Sequence, residues 1–191
     1  MLKDLVKKAR SCRRFDNTFL ISNDDLKDII DTARLTPSAA NRQPVRFIVA
    51  NNKAVNEKIF SYIGWAAYLA DWKGPAPEEQ PSAYIVLYSD MQFTPHLSID
   101  PGIIAQTINL SANEKGLATC IIASFDKNKI KRVVHLEKEN EIILIIAVGK
   151  AAENVVLEDV GEDGSIKYWR DEDDVHHVPK RKLDDILRFV E

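Results

Sequence analysis

A chain of 191 residues, 45% hydrophobic and 29% charged, can bury one core and contains no stretch that reads as a linker, so a single domain over 1–191 is expected. Lys and Arg number 26 against 29 Asp and Glu, a formal charge of -3, which gives no long-range attraction to nucleic acid or to an anionic membrane surface. The longest apolar run, residues 142–148, is far too short to cross a bilayer, and the Met-Leu-Lys-Asp start lacks a signal peptide's apolar stretch; a soluble, cytoplasmic protein is expected.

Leu2, Leu5, Val6 and Ala9 fall at helical spacing, predicting an amphipathic first helix that ends near Arg10-Ser11-Cys12-Arg13-Arg14-Phe15. Ser22 followed three residues later by Asp25 resembles a capping box, and Leu26, Ile29, Ile30 and Ala33 continue it as a helix that should stop before Pro37. Residues 37–44, Pro-Ser-Ala-Ala-Asn-Arg-Gln-Pro, are turn formers and small residues and read as an exposed, shaped loop. A strand is expected over 46–50, a helix carrying Val55, Ile59 and Tyr62, and a further helical stripe through Trp65, Tyr68, Leu69 and Trp72. After a Pro-rich loop at 74–81 come a strand over 84–88 and a helix over 102–115, which is apolar or small on most sides and so suits a core or a dimer interface. Ile121 and Ile122 begin a short extended piece, Asp126 can cap a helix with Ile130, Val133 and Val134, and 142–148 is a buried strand central in its sheet. Residues 151–178 have little period and much charge, which suggests a long excursion over the surface or across a partner, and Leu183, Ile186, Leu187 and Val190 predict a closing helix. The irregular interleaving of helices and strands points to α+β rather than to a Rossmann unit.

Several chemistries lack their residues. No Gly-rich phosphate loop, no His-Glu-x-x-His and no Gly-x-Ser-x-Gly is present. Cys12 and Cys120 belong to no Cys-x-x-Cys pair, so they are expected as two free buried thiols. His176 and His177 are adjacent, hence differently directed, and lack a third ligand at metal-site spacing. Arg10, Ser11, Arg13 and Arg14 offer guanidinium forks and a hydroxyl suited to a phosphate or a flavin carbonyl, or else form a solvated basic helix end. Lys180-Arg181-Lys182 faces the same two readings, and the two clusters support one another if the fold joins them.

Arg10-Ser11-x-Arg13-Arg14-Phe15, the Ser22-capped helix, the 37–44 loop, the apolar helix followed by Gly116-Leu117-Ala118-Thr119-Cys120, and Val178-Pro179-Lys180-Arg181 together resemble the nitroreductase family of FMN enzymes, over nearly the whole chain and in the family's order. The resemblance implies an α+β fold with a central mixed or antiparallel sheet flanked by helices, and an intertwined homodimer with FMN in a groove made by both subunits. It implies that Arg10, Ser11 and Arg13 hold the phosphate, ribityl chain and pyrimidine edge, and that Lys180 and Arg181 complete the phosphate clamp. Pro37, Ser38, Asn41 and Gln43 would lie at the isoalloxazine, with Pro37 and Ser38 reaching the flavin of the partner chain. The backbone of Ala123 and Ser124 would face flavin N5 and O4. Two departures stand out. Ala9 replaces the family's first basic residue, and Ala123-Ser124 replaces the Glu-Gly of some relatives.

The implied activity is ping-pong hydride transfer from NADH or NADPH through FMN to a small-molecule electron acceptor, nitroaromatic- or quinone-like. No side-chain acid or base, no metal, no nucleic-acid partner and no membrane is expected. The alternatives are a non-catalytic flavin-binding module and a same-fold enzyme performing dehalogenation, enamide oxidation or flavin breakdown. Trp65, Tyr68, Trp72 and Phe125 either wall the pocket or belong to the core.

Overall fold

The computed structural model describes residues 1–90 and 99–190. Its centre is β5 (Glu141–Ala151), with β3 (Ala83–Ser89) paired along one edge and β4 (Ala118–Ile122) along the other. Outside β3 lies β2 (Arg46–Ala50), and β1 (Phe15–Asp16) joins the far end of β5, so all five strands of this sheet run antiparallel to their neighbours. The continuous apolar run in β5 follows from burial on both faces. Ile146 and Val148 point into one core and Ile145 and Ala147 into the other, while on β3 Ile85 and Leu87 alternate in the same way with Tyr84 and Val86. A register shift between Leu87 and Tyr88 leaves Ile143 without a Cα partner on β3. Ile143 and Leu144 consequently both pack against the first core.

The first core is covered by α2 (Asn23–Arg34) and α4 (Asp100–Glu114), which contribute Leu26, Ile29, Ile104 and Ile108. The second is closed by α3 (Lys53–Phe60) and α5 (Lys127–Val133), through Ile59 and Ile130. Ser22 Oγ caps α2 by accepting from Asp25 N–H at 3.0 Å, and Asp126 Oδ1 caps α5 by accepting from Lys129 N–H at 3.0 Å. Helix α2 ends at Arg34, before Pro37. At Gly149 an added Cβ would meet the Phe15 ring at 2.7 Å, so this glycine lets β1 lie against β5.

Four expectations are corrected. Residues 65–72 form no helix: after Phe60 the chain bridges Ile63 to Phe125, and then makes i→i+3 turns from Ala66 to Leu69 and from Leu69 to Trp72. The aromatic rings keep helical spacing in sequence but find partners on different elements, Trp65 on Phe60, Tyr68 on Tyr168 and Trp72 under Arg170. Strand β4 ends where the extended piece was expected to begin, because Ala118, Thr119 and Cys120 already pair with β5. Residues 151–178 are more ordered than an excursion: β6 (Val155–Asp159), β7 (Trp169–Arg170) and β8 (His176–Lys180) make a second, three-stranded sheet, with β6 and β8 parallel. The closing helix, α6 (Leu183–Ile186), is one turn with no buried residue. Helix α1 (Leu2–Lys8) forms as expected but also buries none of its residues.

Candidate active site

Where β4 ends, the chain turns outward through Ala123 and Ser124, and the segment after α3 is drawn against it. Gly64 N–H donates to Ser124 O at 2.7 Å, and a Cβ at Gly64 would meet Ser124 Oγ at 2.7 Å. These two segments and Arg13 enclose a cleft of about 490 Å³, with Trp65, Cys120 and Ile121 among its walls. A second hollow of about 620 Å³, between Asn17, Asn51, Asn56 and Gln80, holds none of the expected site residues.

Arg13 enters the cleft under several restraints. Its Nη1 donates to His176 Nε2 at 2.9 Å, its guanidinium carbon lies 4.6 Å from the centre of the Tyr168 ring, and its backbone N–H donates to Glu153 Oε1. Among the described residues, neither Ala123 nor Ser124 N–H has an acceptor, and Trp65 Nε1 is buried without one. The cleft is thus lined by a guanidinium, by two residues whose backbone donors are unpaired, and by apolar walls. A flat heteroaromatic with carbonyl and ring-nitrogen acceptors along one edge fits that donor set. Burial raises the Cys120 thiol to about 11, with Arg13 opposing the shift, so at neutral pH this wall carries a protonated thiol and no nucleophile.

The remaining expected residues fall outside this cleft within one chain. Arg10, at the end of α1, donates to Val6 O at 2.6 Å, its Nε is buried without a partner, and burial lowers its pKa. Ser11 bridges Thr119 beside β4. The loop of Pro37, Ser38, Asn41 and Gln43 is shaped from the N-terminus of α4: the buried Asp100 carboxylate accepts from Ser38 Oγ at 2.6 Å and from Ala39 N–H, and Ser38 Oγ accepts from Gln43 N–H at 2.8 Å. Ala40, Asn41 and Gln43 take φ values of 50°, 53° and 48°, the left-handed region that non-glycine residues enter at a cost when neighbours hold them there. Pro37, Asn41 and Gln43 are exposed. Lys180 ends β8 and Arg181 follows it; both are exposed, and among the described residues no hydrogen bond joins either side chain to Arg10, Ser11 or Arg13. The C-terminal arm instead reaches the N-terminal motif through His176, and through Asp174, which pairs with Arg14 at 3.2 Å. The two histidines diverge as adjacent positions should, His177 lying between Glu158 and Asp171.

Sequence reasoning did not find Glu153 or Gly64, and weighed His176 only as a metal ligand; Glu153 and His176 are the two that restrain Arg13. They act on it from 140 and 163 positions away, a separation that no local pattern encodes.

Comparison with known proteins places these features in a wider set. A family model described as Nitroreductase family matches residues 6–150. An oxygen-insensitive NADPH nitroreductase of Helicobacter acinonychis is 27% identical over 181 residues, covering 78% of this chain and 86% of that protein. Among solved structures, a nitroreductase family protein from Clostridium novyi superposes with a TM-score of 0.66 at 21% identity, covering 94% of each chain. An FMN-dependent nitroreductase from Clostridium difficile does so with a TM-score of 0.65 at 21% identity, covering 78% of this chain and 87% of its own.

Proposed function

The chain belongs to the nitroreductase family, and from that premise we propose that it is an FMN-dependent oxidoreductase carrying hydride from NADH or NADPH to a small organic acceptor, nitroaromatic- or quinone-like. The observation that carries this reading is the convergence of Arg13 with the open N–H groups of Ala123 and Ser124 in one cleft. The FMN dependence of the Clostridium difficile relative and the NADPH use of the Helicobacter one support it.

FMN supplies two-electron transfer between a nicotinamide and an organic acceptor. The residues bind and orient it. Arg13 would place a positive charge beside the pyrimidine edge of the bound flavin and favour its reduced form. Ala123 and Ser124 offer donors that depend on backbone alone. Trp65 and Ile121 supply apolar walls that exclude water from the stacking face. Arg10 and Ser11, with the exposed Lys180 and Arg181, would hold the phosphate. Donor and acceptor would use the same open face in turn, the ping-pong order.

The cleft is completed by a second copy of the chain. Ile99, just before α4, and Ile103 on α4 are 63% and 37% exposed, and Leu2 and Val6 on the neighbouring α1 are 69% and 39% exposed, apolar surface of the kind that isologous dimers cover. The 37–43 loop hangs from the same end of α4 and belongs to the partner's flavin.

The test is an absorbance spectrum of the purified protein before and after NADH and then NADPH, without oxygen. Oxidised-flavin bands that bleach with either donor are the expected result. A protein that stays colourless after FMN loading would overturn the reading, and a flavin unresponsive to both donors would mark a binding module. Replacing Lys180 and Arg181 together by Ala should weaken FMN binding by about tenfold or more, since each contributes a charge-assisted phosphate contact; fluorescence titration of the apoprotein measures this.

A further inference from the structure

Arg13 is the one side chain of the N-terminal motif that lines the cleft, and its guanidinium carries five donors that can be spent in many directions. Within the motif Nη1 reaches Ser11 O at 3.4 Å, and the structure limits the guanidinium further from outside the motif. His176, with no exposed surface, takes Nη1 at 2.9 Å, and the Tyr168 ring underlies the guanidinium plane. Glu153 accepts from the backbone N–H groups of Arg13 and Arg14, and its other oxygen accepts from Arg170 Nη2 at 2.8 Å. Arg170 in turn lies over the Trp72 ring at 4.5 Å. One edge and one face of Arg13 are therefore committed to the second sheet, and its remaining donors are left for the cleft.

The protonation pattern of His176 follows from this geometry. Nε2 faces an arginine, which only donates, so the proton sits on Nδ1, and Nδ1 is buried without a partner. An unsatisfied buried donor costs stability. A residue needed only to fill this space would avoid that cost.

We propose that His176 and Glu153 are positioning residues for the flavin site: Glu153 anchors the backbone at Arg13, and neutral His176 holds the guanidinium edge so that its free donors meet the flavin pyrimidine. This rests on the FMN reading above. It makes the second sheet a functional part of the site, although none of that sheet's strands lines the cleft.

The experiment is a double-mutant cycle on FMN affinity, read by flavin fluorescence quenching in the apoprotein, with the spectrum and midpoint potential of the bound flavin as second readouts. His176→Phe should weaken FMN binding by about tenfold, the worth of one positioned hydrogen bond, and shift the potential. His176→Gln, which keeps an acceptor, should restore most of the affinity. In an Arg13→Ala background His176→Phe should have no further effect. Full affinity in His176→Phe, or a loss that persists without Arg13, overturns the inference while leaving the FMN reading intact. A wild-type protein that takes up no FMN overturns both, and that failure is told apart because it needs no substitution. Glu153→Gln, which keeps an acceptor for the Arg13 N–H and removes the charge facing Arg170, should weaken FMN without lowering the apoprotein's helical content. If Glu153→Gln lowers the melting temperature while the folded variant binds FMN as tightly as wild type, Glu153 is structural alone.

Discussion

At position 176 burial decides the protonation state. His176 is fully buried beside Arg13 and Arg170, and its pKa is lowered from 6.5 to about 4, burial being the larger cause and the neighbouring cations the next. A base with a depressed folded pKa contributes stability above its unfolded value and loses it as pH falls, because the unfolded chain then binds a proton that the folded one refuses. Thermal stability should therefore fall between about pH 6.5 and pH 4 by on the order of 1–3 kcal/mol, and a melting series on wild type and His176→Gln checks this. An equally steep acid loss in the variant would assign the effect to other groups. Arg13 was legible in sequence as part of a basic motif. That one of its donors serves His176 was not, since the two are 163 positions apart.

At the scale of the element, local rules account for what local rules govern. The Ser22 cap of α2 is visible as Ser followed by Asp at the third position, and in the structure Ser22 Oγ also donates to Asp25 Oδ2 at 2.6 Å, which lowers the Asp25 pKa. Ser22→Ala should cost about 1 kcal/mol in a chemical denaturation experiment. No change would mean that the packing of Leu26 and Ile29 holds the helix start unaided. Strand β5 was equally plain, because a strand buried on both faces has to be apolar throughout. Periodicity misled where the rings of Trp65, Tyr68 and Trp72 had partners on separate elements, and where Leu183, Ile186 and Leu187 had no surface to cover in their own chain. An amphipathic stripe forms a long helix only against something.

At the scale of the molecule, the same exposed faces argue for the second copy. Sedimentation should give a dimer, and Ile103→Glu, on a face that the single chain leaves open, should yield a folded monomer that retains FMN poorly. A stable monomer holding FMN tightly would show that one chain suffices. The acidic segment 158–174 owes its charge partly to the N-terminal motif and to the second sheet: Asp174 pairs with Arg14, and Glu158, with Asp171 beside it, brackets His177. The sequence by itself determined the family, the central strand, the caps, and the motif whose Arg13 enters the cleft, because each is written in adjacent residues or in a short period. Only the tertiary structure decided how Arg13 is aimed, which aromatics face the cleft, and that the charged C-terminal arm is a sheet. The aim of Arg13 depends on contacts 140 and 163 positions away, and the sheet depends on the pairing of β8 with β6 and β7, none of which a short local period encodes.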